Sequence, residues 1–290
     1  HTDKKLGLEG EESKNVISAV DMLREIGDGE YPDYTGKRVV VVGGGNVAMD
    51  CARTAMRANA ETVSIVYRRR QEDMTALPAE VEGAIAEGIE LVTLKAPLRV
   101  EADAEGKACA LWVQPQIIGP VKGGRPSPRK ANKPEERMEC DIVLVAIGQD
   151  IVSQPFAEFG MAVNRGRIVA NEGGAANMVG VYAGGDCVSG PATVIKAIAA
   201  GKAAAANIDE YLGYHHPISC DVEIPQPMLN DKVPCGRVNL QEVEAWARKT
   251  NFEGIELPMS CEEAVQEASR CLRCDRHGCG TLRGGREFEW

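Results

Sequence analysis

Short runs of β-branched residues alternate with helical patterns through the first hundred residues. Residues 38–42 (RVVVV) and 62–67 (TVSIVY) are typical of parallel strands covered on both faces. Residues 47–58 (VAMDCARTAMRA), which lie between them, have the composition of a helix. This order of strand, helix and strand predicts a βαβ unit.

Further elements are predicted on both sides of this unit. Ser13 is expected to cap a helix that ends at the glycine turn of residues 27–29. Its apolar positions recur at helical spacing: Val16, Val20, Leu23 and Ile26. A second helix is expected to open at Pro78 and to stop at Gly88, and residues 91–94 are expected to form a third strand.

The pattern becomes strand-like between residue 98 and about residue 121, with no helical periodicity. Residues 119–137 are rich in Gly, Pro, Lys and Arg, which predicts an antiparallel hairpin with a mobile basic tip. The tip is interpreted either as a solvated loop or as a partner contact, on account of its cations: Lys122, Arg125, Arg129, Lys130 and Lys133. Residues 141–147 return as a buried strand that ends at Gly148.

A second unit is predicted to begin near Ile151. It contains a strand at 179–183, a sharp turn at 184–186 and an alanine-rich helix over 192–212 with Pro191 at its start. A tail with prolines, an acidic helical stretch near 241–249 and a cysteine cluster follow. The predicted organisation is a lead-in segment (1–35), a nucleotide-binding domain with a hairpin (36–150), a second domain (151–215) and a tail (216–290).

The turn after the first strand carries a dinucleotide fingerprint. Residues 43–48 (GGGNVA) fit G-x-G-x-x-G/A, in which Gly43 makes the tight turn and Gly45 lets the backbone approach a pyrophosphate. A small residue, Ala48, lets the helix pack on the strand, and the helix N-terminus supplies amides and partial positive charge. The flanking elements make this motif specific.

The end of the second strand reads Tyr67-Arg68-Arg69-Arg70. A site for NAD usually places an acidic residue there for the ribose 2′-hydroxyl, whereas arginine favours a 2′-phosphate. Glu61 precedes the strand and so lies at its wrong end. The sequence therefore predicts NADPH; the alternative is that the arginines are simply exposed on a loop.

A second glycine turn, at residues 184–186 (GGD), precedes a helix start at residues 190–193 (GPAT). Asp186 could bond a ribityl hydroxyl, and the helix-end amides could face negative charge on a flavin. A turn followed by a capped helix explains the same residues without a ligand, so both interpretations stay open here.

Composition narrows the function classes. The chain has 290 residues and a formal charge of -10, which argues against a nucleic-acid surface. No apolar run is long enough to span a bilayer, and the N-terminus has no signal-peptide pattern. Most of the ten cysteines are scattered singly, as is typical of a reduced, cytoplasmic protein.

The cysteines cluster only near the C-terminus. Cys271, Cys274 and Cys279, with Cys261 as a further candidate, could begin a metal site, but no fourth ligand is assigned. Their spacing departs from the ferredoxin run. Iron-sulfur ligation, a zinc or redox-active dithiol site, and free thiols all remain open.

Several segments together resemble one family. They are LGLEGE (6–11), VVVVGGGNVAMDCART (39–54), VYRRRQEDM (66–74), VLVAIGQ (143–149) and GVYAGGDCVSGPATVIKAIAAGKAAA (180–205). In this order they are similar to the glutamate synthase (NADPH) small-subunit family. Related iron-sulfur flavoproteins include the NADPH-side subunit of electron-bifurcating transhydrogenases. The resemblance covers about residues 4–215.

The resemblance implies an α/β fold: a Rossmann-like NAD(P)-binding domain of the type with two dinucleotide-binding domains, joined here to a partial FAD-binding domain. It implies that hydride passes from NADPH to FAD and that electrons leave through iron-sulfur clusters to a larger electron-accepting subunit, such as the glutamate synthase large subunit. No acid-base catalyst is expected, because the cofactors carry the chemistry.

The resemblance also assigns residues to cofactors. Phosphate-turn roles fall on Gly43, Gly44, Gly45, Asn46, Val47 and Ala48, and the 2′-phosphate role falls on Arg68 and Arg69. Flavin-side roles fall on Gly148, Gly185, Asp186 and Thr193, and cluster-ligand roles on Cys271, Cys274 and Cys279.

One departure from the family stands out. The family's N-terminal cluster domain and its first FAD-binding glycine turn are not found in this sequence. The chain is therefore expected to be a fragment that binds NADPH, binds FAD poorly and lacks turnover by itself.

Two other functional interpretations remain open. A pyridine-nucleotide disulfide reductase would need a redox Cys-x-x-Cys facing the flavin, and the pair at 271–274 lies far along the tail. A nucleotide-sensing module that recruits a partner would use the same fold without reducing a flavin.

Overall fold

The computed structural model describes residues 2–122, 124–216 and 235–271. Within these ranges the chain divides into two units. The first unit contains the residues up to 152 together with 244–253, and the second contains 153–243 and the residues from 254 onward.

A parallel sheet forms the centre of the first unit. Its strands are β2 (Val16–Ser18), β3 (Arg38–Gly43), β4 (Thr62–Tyr67), β5 (Glu90–Thr93) and β10 (Ile142–Ala146). Their order is β2-β10-β3-β4-β5, and every neighbouring pair is parallel. At one side β1 (Thr2–Asp3) pairs with β11 (Gln149–Asp150). The β3 and β4 boundaries, and the βαβ unit between them, confirm the prediction.

Both faces of the parallel sheet are buried, each in a different apolar core. This explains the continuous run of valines in β3. Val39 and Val41 pack in a core formed with three helices: α1 (Ala19–Gly27), α2 (Asn46–Arg57) and α3 (Pro78–Ala86). Val40 and Val42 point the other way, into a core shared with an antiparallel sheet. Because successive side chains alternate between faces, a strand buried on both faces reads as continuously apolar.

The antiparallel sheet consists of β6 (Lys95–Ala102), β7 (Ala108–Lys122), β8 (Arg125–Lys130) and β9 (Glu136–Glu139). The first half of β7 pairs with β6 and β9, and its second half pairs with β8 alone. The paired segments 116–122 and 125–130 are called the ribbon below. The pairing of β7 with β8 confirms the predicted antiparallel hairpin, whose strands extend to residues 122 and 125.

Residues 244–253 are attached to the first unit by a buried carboxylate. Glu87 is fully buried, and its oxygens accept hydrogen bonds from Arg53, Arg57 and Arg248. Arg248 lies in the short helix α7 (Ala245–Arg248), and its Nε is 2.9 Å from Glu87 Oε1. Burial opposes ionisation, but the hydrogen bonds from Arg57 and Arg53 outweigh it and hold the pKa of Glu87 below its ordinary value.

The second unit contains one long helix and several shorter elements. They are α4 (Gln154–Glu158), β12 (Val163–Asn164), β13 (Arg167–Ile168), α5 (Asp186–Ser189), α6 (Val194–Tyr211) and α8 (Cys261–Ser269). No residue of α6 is buried, and Val194 and Ile195 are 75% and 79% exposed. No helix within the described ranges is both long and apolar enough to cross a bilayer.

The N-terminal helix begins later than expected. Ser18, not Ser13, is its cap, because the Ser18 hydroxyl oxygen accepts a hydrogen bond from the amide of Asp21. Val16 and Ile17 belong instead to β2, which pairs with β10 at the sheet edge. Two β-branched residues next to an available strand edge thus override the helical spacing.

Three predictions in the later part of the chain are also corrected. Residues 179–183 form no strand, because within the described residues only an isolated bridge from Tyr182 to Ala175 pairs with them. Helix α6 begins at Val194 rather than residue 192, since Thr193 is its N-cap. The helical stretch expected near 241–249 is the four-residue helix α7.

Candidate functional site

The glycine turn between β3 and α2 is packed tightly on its strand side. Gly43 lies opposite Ala146 of β10, and a Cβ on Gly43 would stand 2.4 Å from the Ala146 carbonyl oxygen. Gly43 has no positive φ. The expected tight turn therefore needs glycine here for the close approach of β10, and fully buried Ala48 allows α2 to approach the sheet.

A loop after β4 closes over the next glycine. A Cβ on Gly44 would stand 2.4 Å from the ring of Tyr67, and the Gly44 carbonyl oxygen accepts hydrogen bonds from the amides of Thr75 and Ala76. The Tyr67 hydroxyl donates to the carbonyl oxygen of Asp73 at 2.8 Å. Tyr67 and Thr75 thus fix the turn. Sequence reasoning missed both, although Tyr67 is the last residue of the second predicted strand.

Gly45 has open space beside its α-carbon, whereas Gly43 and Gly44 are tightly packed. A Cβ there would meet only the hydroxyl oxygen of Thr75, at 3.4 Å, within a 4 Å radius. Gly45 is the N-cap of α2, where amide groups and the helix dipole favour an anion. The backbone therefore fits the close approach of a phosphate group.

The two residues after Gly45 differ in their roles. The Asn46 side-chain oxygen accepts a hydrogen bond from the amide of Leu77, so it ties the start of α3 to the turn. Val47 is 36% exposed at the first turn of α2. Asn46 is thus held by the protein itself, whereas Val47 borders the open side.

The three arginines after β4 have three different surroundings. Arg70 forms two hydrogen bonds to Asp73, which lower the pKa of that carboxyl. Arg69 donates from Nε to the carbonyl oxygen of Pro126 at 2.9 Å. Arg68 is exposed, and its side chain has no hydrogen bond or ion pair with the residues that the structure describes. Arg68 and the terminal groups of Arg69 are therefore available to a ligand.

The predicted flavin-side residues lie mostly in the second unit. Gly185, with φ of 71°, caps α5, and the Asp186 side chain accepts a hydrogen bond from the amide of Ala192 at 3.2 Å. The Thr193 hydroxyl oxygen accepts from the amide of Lys196. Gly148, with φ of 109°, lies in the first unit just after β10. Positive φ explains glycine at 148 and 185 without a ligand.

The predicted cluster ligands are only partly within the described residues. Cys271 is exposed, as is Cys261 at the start of α8, while Cys274 and Cys279 lie outside the described residues. Across the described ranges no group of three or more His, Cys, Asp or Glu residues could hold a metal ion. In the first unit, burial raises the pKa of Cys51 and Cys140 to about 12, so neither thiol is reactive.

Curated relatives match most of the chain. The chain is 36% identical to the NADP(+)-dependent formate dehydrogenase subunit beta of Moorella thermoacetica over 98% of its own length and 42% of the relative. It is 34% identical to the glutamate synthase [NADPH] small chain of Escherichia coli K12 over 71% of its length and 47% of the relative. The chain thus spans less than half of these relatives.

A solved structure supports the fold. Mycobacterium tuberculosis FprA in complex with NADPH matches 73% of this chain and 62% of its own, with a TM-score of 0.58 and 19% identity. At that identity the match supports the fold alone, and it confirms the predicted α/β, Rossmann-like class. The model of the pyridine nucleotide-disulphide oxidoreductase family matches residues 2–201, about two thirds of the chain. This chain belongs to the pyridine nucleotide-disulphide oxidoreductase family.

Proposed function

We propose that the chain is the NADPH-binding, electron-input portion of an oxidoreductase that uses FAD and iron-sulfur clusters. The observation that carries the proposal is the open backbone at Gly45, at the N-terminus of α2, in a turn that is otherwise packed closed. Glycine is not required there by φ or by a protein neighbour. A pyrophosphate that approaches the backbone supplies the missing reason.

The cofactor is NADPH rather than NADH on this proposal. The carboxyl end of β4 is followed by Arg68 and Arg69, and both acidic residues of the next loop, Glu72 and Asp73, form ion pairs with Arg70. Glu61 lies at the opposite end of β4. Two guanidinium groups at this end of the strand suit a 2′-phosphate. The names of the two curated relatives, which specify NADP(+) and NADPH, support the same cofactor.

FAD is the proposed hydride acceptor, and the flavin would supply the redox chemistry when bound. Within the second unit the proposal assigns backbone and side-chain contacts to Gly185, Asp186 and Thr193. The Asp186 carboxylate keeps an oxygen beyond the one bonded to Ala192, so it can accept a hydrogen bond from a ribityl hydroxyl. Further protein is expected to complete the flavin site, because α6 buries none of its residues.

The proposed electron route continues through an iron-sulfur cluster to a larger subunit. Cys271, Cys274 and Cys279 are the proposed ligands, on the strength of their spacing and the resemblance to cluster-ligating segments. Glutamate synthase is the proposed assembly, supported by the similarity to a glutamate synthase small chain. The relatives' names, "subunit beta" and "small chain", support a partner subunit.

Anaerobic mixing of the intact flavoprotein with NADPH tests the proposed hydride transfer. NADPH is expected to bleach the oxidised flavin absorbance, and NADH to do so about 10- to 100-fold less efficiently, because charged hydrogen bonds to the 2′-phosphate are lost. The Arg68→Ala/Arg69→Ala variant should lose this preference, whereas Glu61→Gln, at the other end of β4, should keep it. A flavin that neither nucleotide reduces would instead favour a non-catalytic nucleotide-binding module.

A further inference from the structure

We propose that the ribbon is a specificity element that holds Arg69 in position for the 2′-phosphate of the nucleotide. The ribbon is the part of β7 and β8 that extends beyond β6 and β9. Its contact with Arg69 is made by the Pro126 carbonyl oxygen. The inference rests on the proposed NADPH binding and adds the structural element that sets the cofactor preference.

Three hydrogen bonds connect the arginine loop to the ribbon. The Arg69 Nε donates to the Pro126 carbonyl oxygen at 2.9 Å, and the Arg69 carbonyl oxygen accepts from the amide of Leu94 at 3.0 Å. The Leu94 carbonyl oxygen in turn accepts from the amide of Gln116 at 2.7 Å. Arg69 is therefore held at its main chain and at its side chain, and both links lead to the ribbon.

Leu94 has an unusual conformation at this junction. Its φ is 56°, in the left-handed region that non-glycine residues seldom adopt. It lies between β5, the edge of the parallel sheet, and β6, the start of the antiparallel sheet. Such a conformation persists when the surroundings fix it, and here both backbone groups of Leu94 are bonded. The junction between the sheets is thus rigid where it contacts Arg69.

The contact with Pro126 fixes the orientation of the Arg69 guanidinium group. With Nε engaged, the plane of the group is set and its two terminal nitrogens stay available, since they bond no residue that the structure describes. A planar pair of donors suits the oxygens of a phosphate. Arg68, which has no such support, must order its side chain when a ligand binds. Ordering one such side chain costs affinity by about three- to tenfold.

The ribbon also contributes charge. Residues 115–134 contain five cations and no acidic residue. Arg125, Arg129 and Lys130 are exposed and form no ion pair within the described part of the chain. Positive potential near the arginine loop would favour any anion, so the effect of charge must be separated from the effect of the Pro126 contact.

The test compares two ribbon variants that lose the same charge. The first replaces residues 119–127 with Asn-Gly, which closes the hairpin as a two-residue turn and removes Lys122, Arg125 and Pro126. The second, Lys122→Gln/Arg125→Gln, keeps the backbone and the Pro126 carbonyl. Titration with NADPH and NADH gives the affinity ratio for each variant. Unchanged NADH affinity reports that the nucleotide turn is intact.

The shortened ribbon is expected to weaken NADPH binding about three- to tenfold more than the charge-matched variant does, with NADH binding unchanged. In an Arg69→Ala background, shortening should have no further effect beyond that of the charge-matched variant. Equal NADPH affinities for the two ribbon variants would overturn the inference. A wild-type chain without any preference for NADPH would instead contradict the proposed function.

A measurement on the unshortened chain keeps the inference testable if the short ribbon does not fold. In NMR spectra with labelled arginine, the Nε proton of Arg69, assigned through Arg69→Lys, should exchange slowly with solvent. The Nε proton of Arg68 should exchange rapidly, because Arg68 has no partner among the described residues. Rapid exchange at both arginines would overturn the proposed positioning.

Discussion

The two units of this chain differ in how they bury their apolar residues. In the first unit both faces of β3 are covered, and Val41 and Ile65 are at most 1% exposed. In the second unit α6 buries no residue, and Ile195 is 79% exposed. A packed core holds backbone groups in place before a ligand arrives. The first unit therefore holds the proposed nucleotide turn in place, whereas the proposed flavin-side residues are expected to depend on further packing.

The largest expected effect concerns the buried carboxylate of the first unit. Glu87→Ala should lower the free energy of unfolding by about 3–5 kcal/mol, because it removes the buried carboxylate that three arginines share. Urea unfolding measures this change. The control is Glu80→Ala, a partly exposed partner of Arg53, which should cost less than about 1 kcal/mol. Similar costs for the two variants would contradict the role assigned to burial.

Replacing one isoleucine in each unit compares the stability that apolar burial provides in the two units. Ile65→Ala removes a buried side chain and should lower the free energy of unfolding by about 2–5 kcal/mol. Ile195→Ala removes an exposed one and should change it by less than about 0.5 kcal/mol. Chemical denaturation of both variants gives the two values. A large effect at Ile195 would show that the chain already buries this face in solution.

Two adjacent glycines sharpen the contrast within the turn. Gly44→Ala would bring its Cβ to 2.4 Å from the Tyr67 ring, and should destabilise the fold by about 1–3 kcal/mol. Gly45→Ala meets only a hydroxyl at 3.4 Å, so stability should change by less than about 0.5 kcal/mol while NADPH affinity falls. Thermal unfolding and nucleotide titration separate the two effects. Gly45→Ala with undiminished NADPH binding would remove the main support for the site.

The smallest expected effect is the pH dependence of the antiparallel sheet. Hydrogen bonds from Arg137 and Trp112 lower the pKa of Glu101 to about 2, from an ordinary 4.5. Because the folded pKa is depressed, the stabilisation is complete above pH 4.5 and is lost as the pH falls toward 2. The stability difference between the wild-type chain and Glu101→Gln should shrink across this window. A difference that stays constant there would contradict the assignment.

The sequence predicted the elements that depend on neighbouring residues or on burial of both faces of a strand. The valine run of β3 identified a strand covered on both faces, and the fingerprint at 43–48 located the turn before α2. Pro78 and Gly88 bounded α3 correctly, since Pro suits the first helical turn and Gly88 has φ of 94°. These signals depend on a few neighbouring residues, so one sequence is enough to read them.

The remaining features depend on contacts between distant residues. Val16 becomes part of a strand because β10, more than 120 residues later, offers it an edge. The hydrogen bond between Arg69 and Pro126, and that between Glu87 and Arg248, join residues 57 and 161 positions apart. No periodicity encodes such pairs. The strand expected at 179–183 is wrong for the converse reason: its composition suits a buried strand, but within the described residues it forms only the isolated bridge from Tyr182 to Ala175.

The central claim is that the first unit binds NADPH in preference to NADH. Calorimetric titration of the purified chain with each nucleotide tests it most directly. The affinity for NADPH is expected to be about 10- to 100-fold above that for NADH, with the difference abolished in Arg68→Ala/Arg69→Ala. Equal affinities for the two nucleotides in the wild-type chain would contradict it.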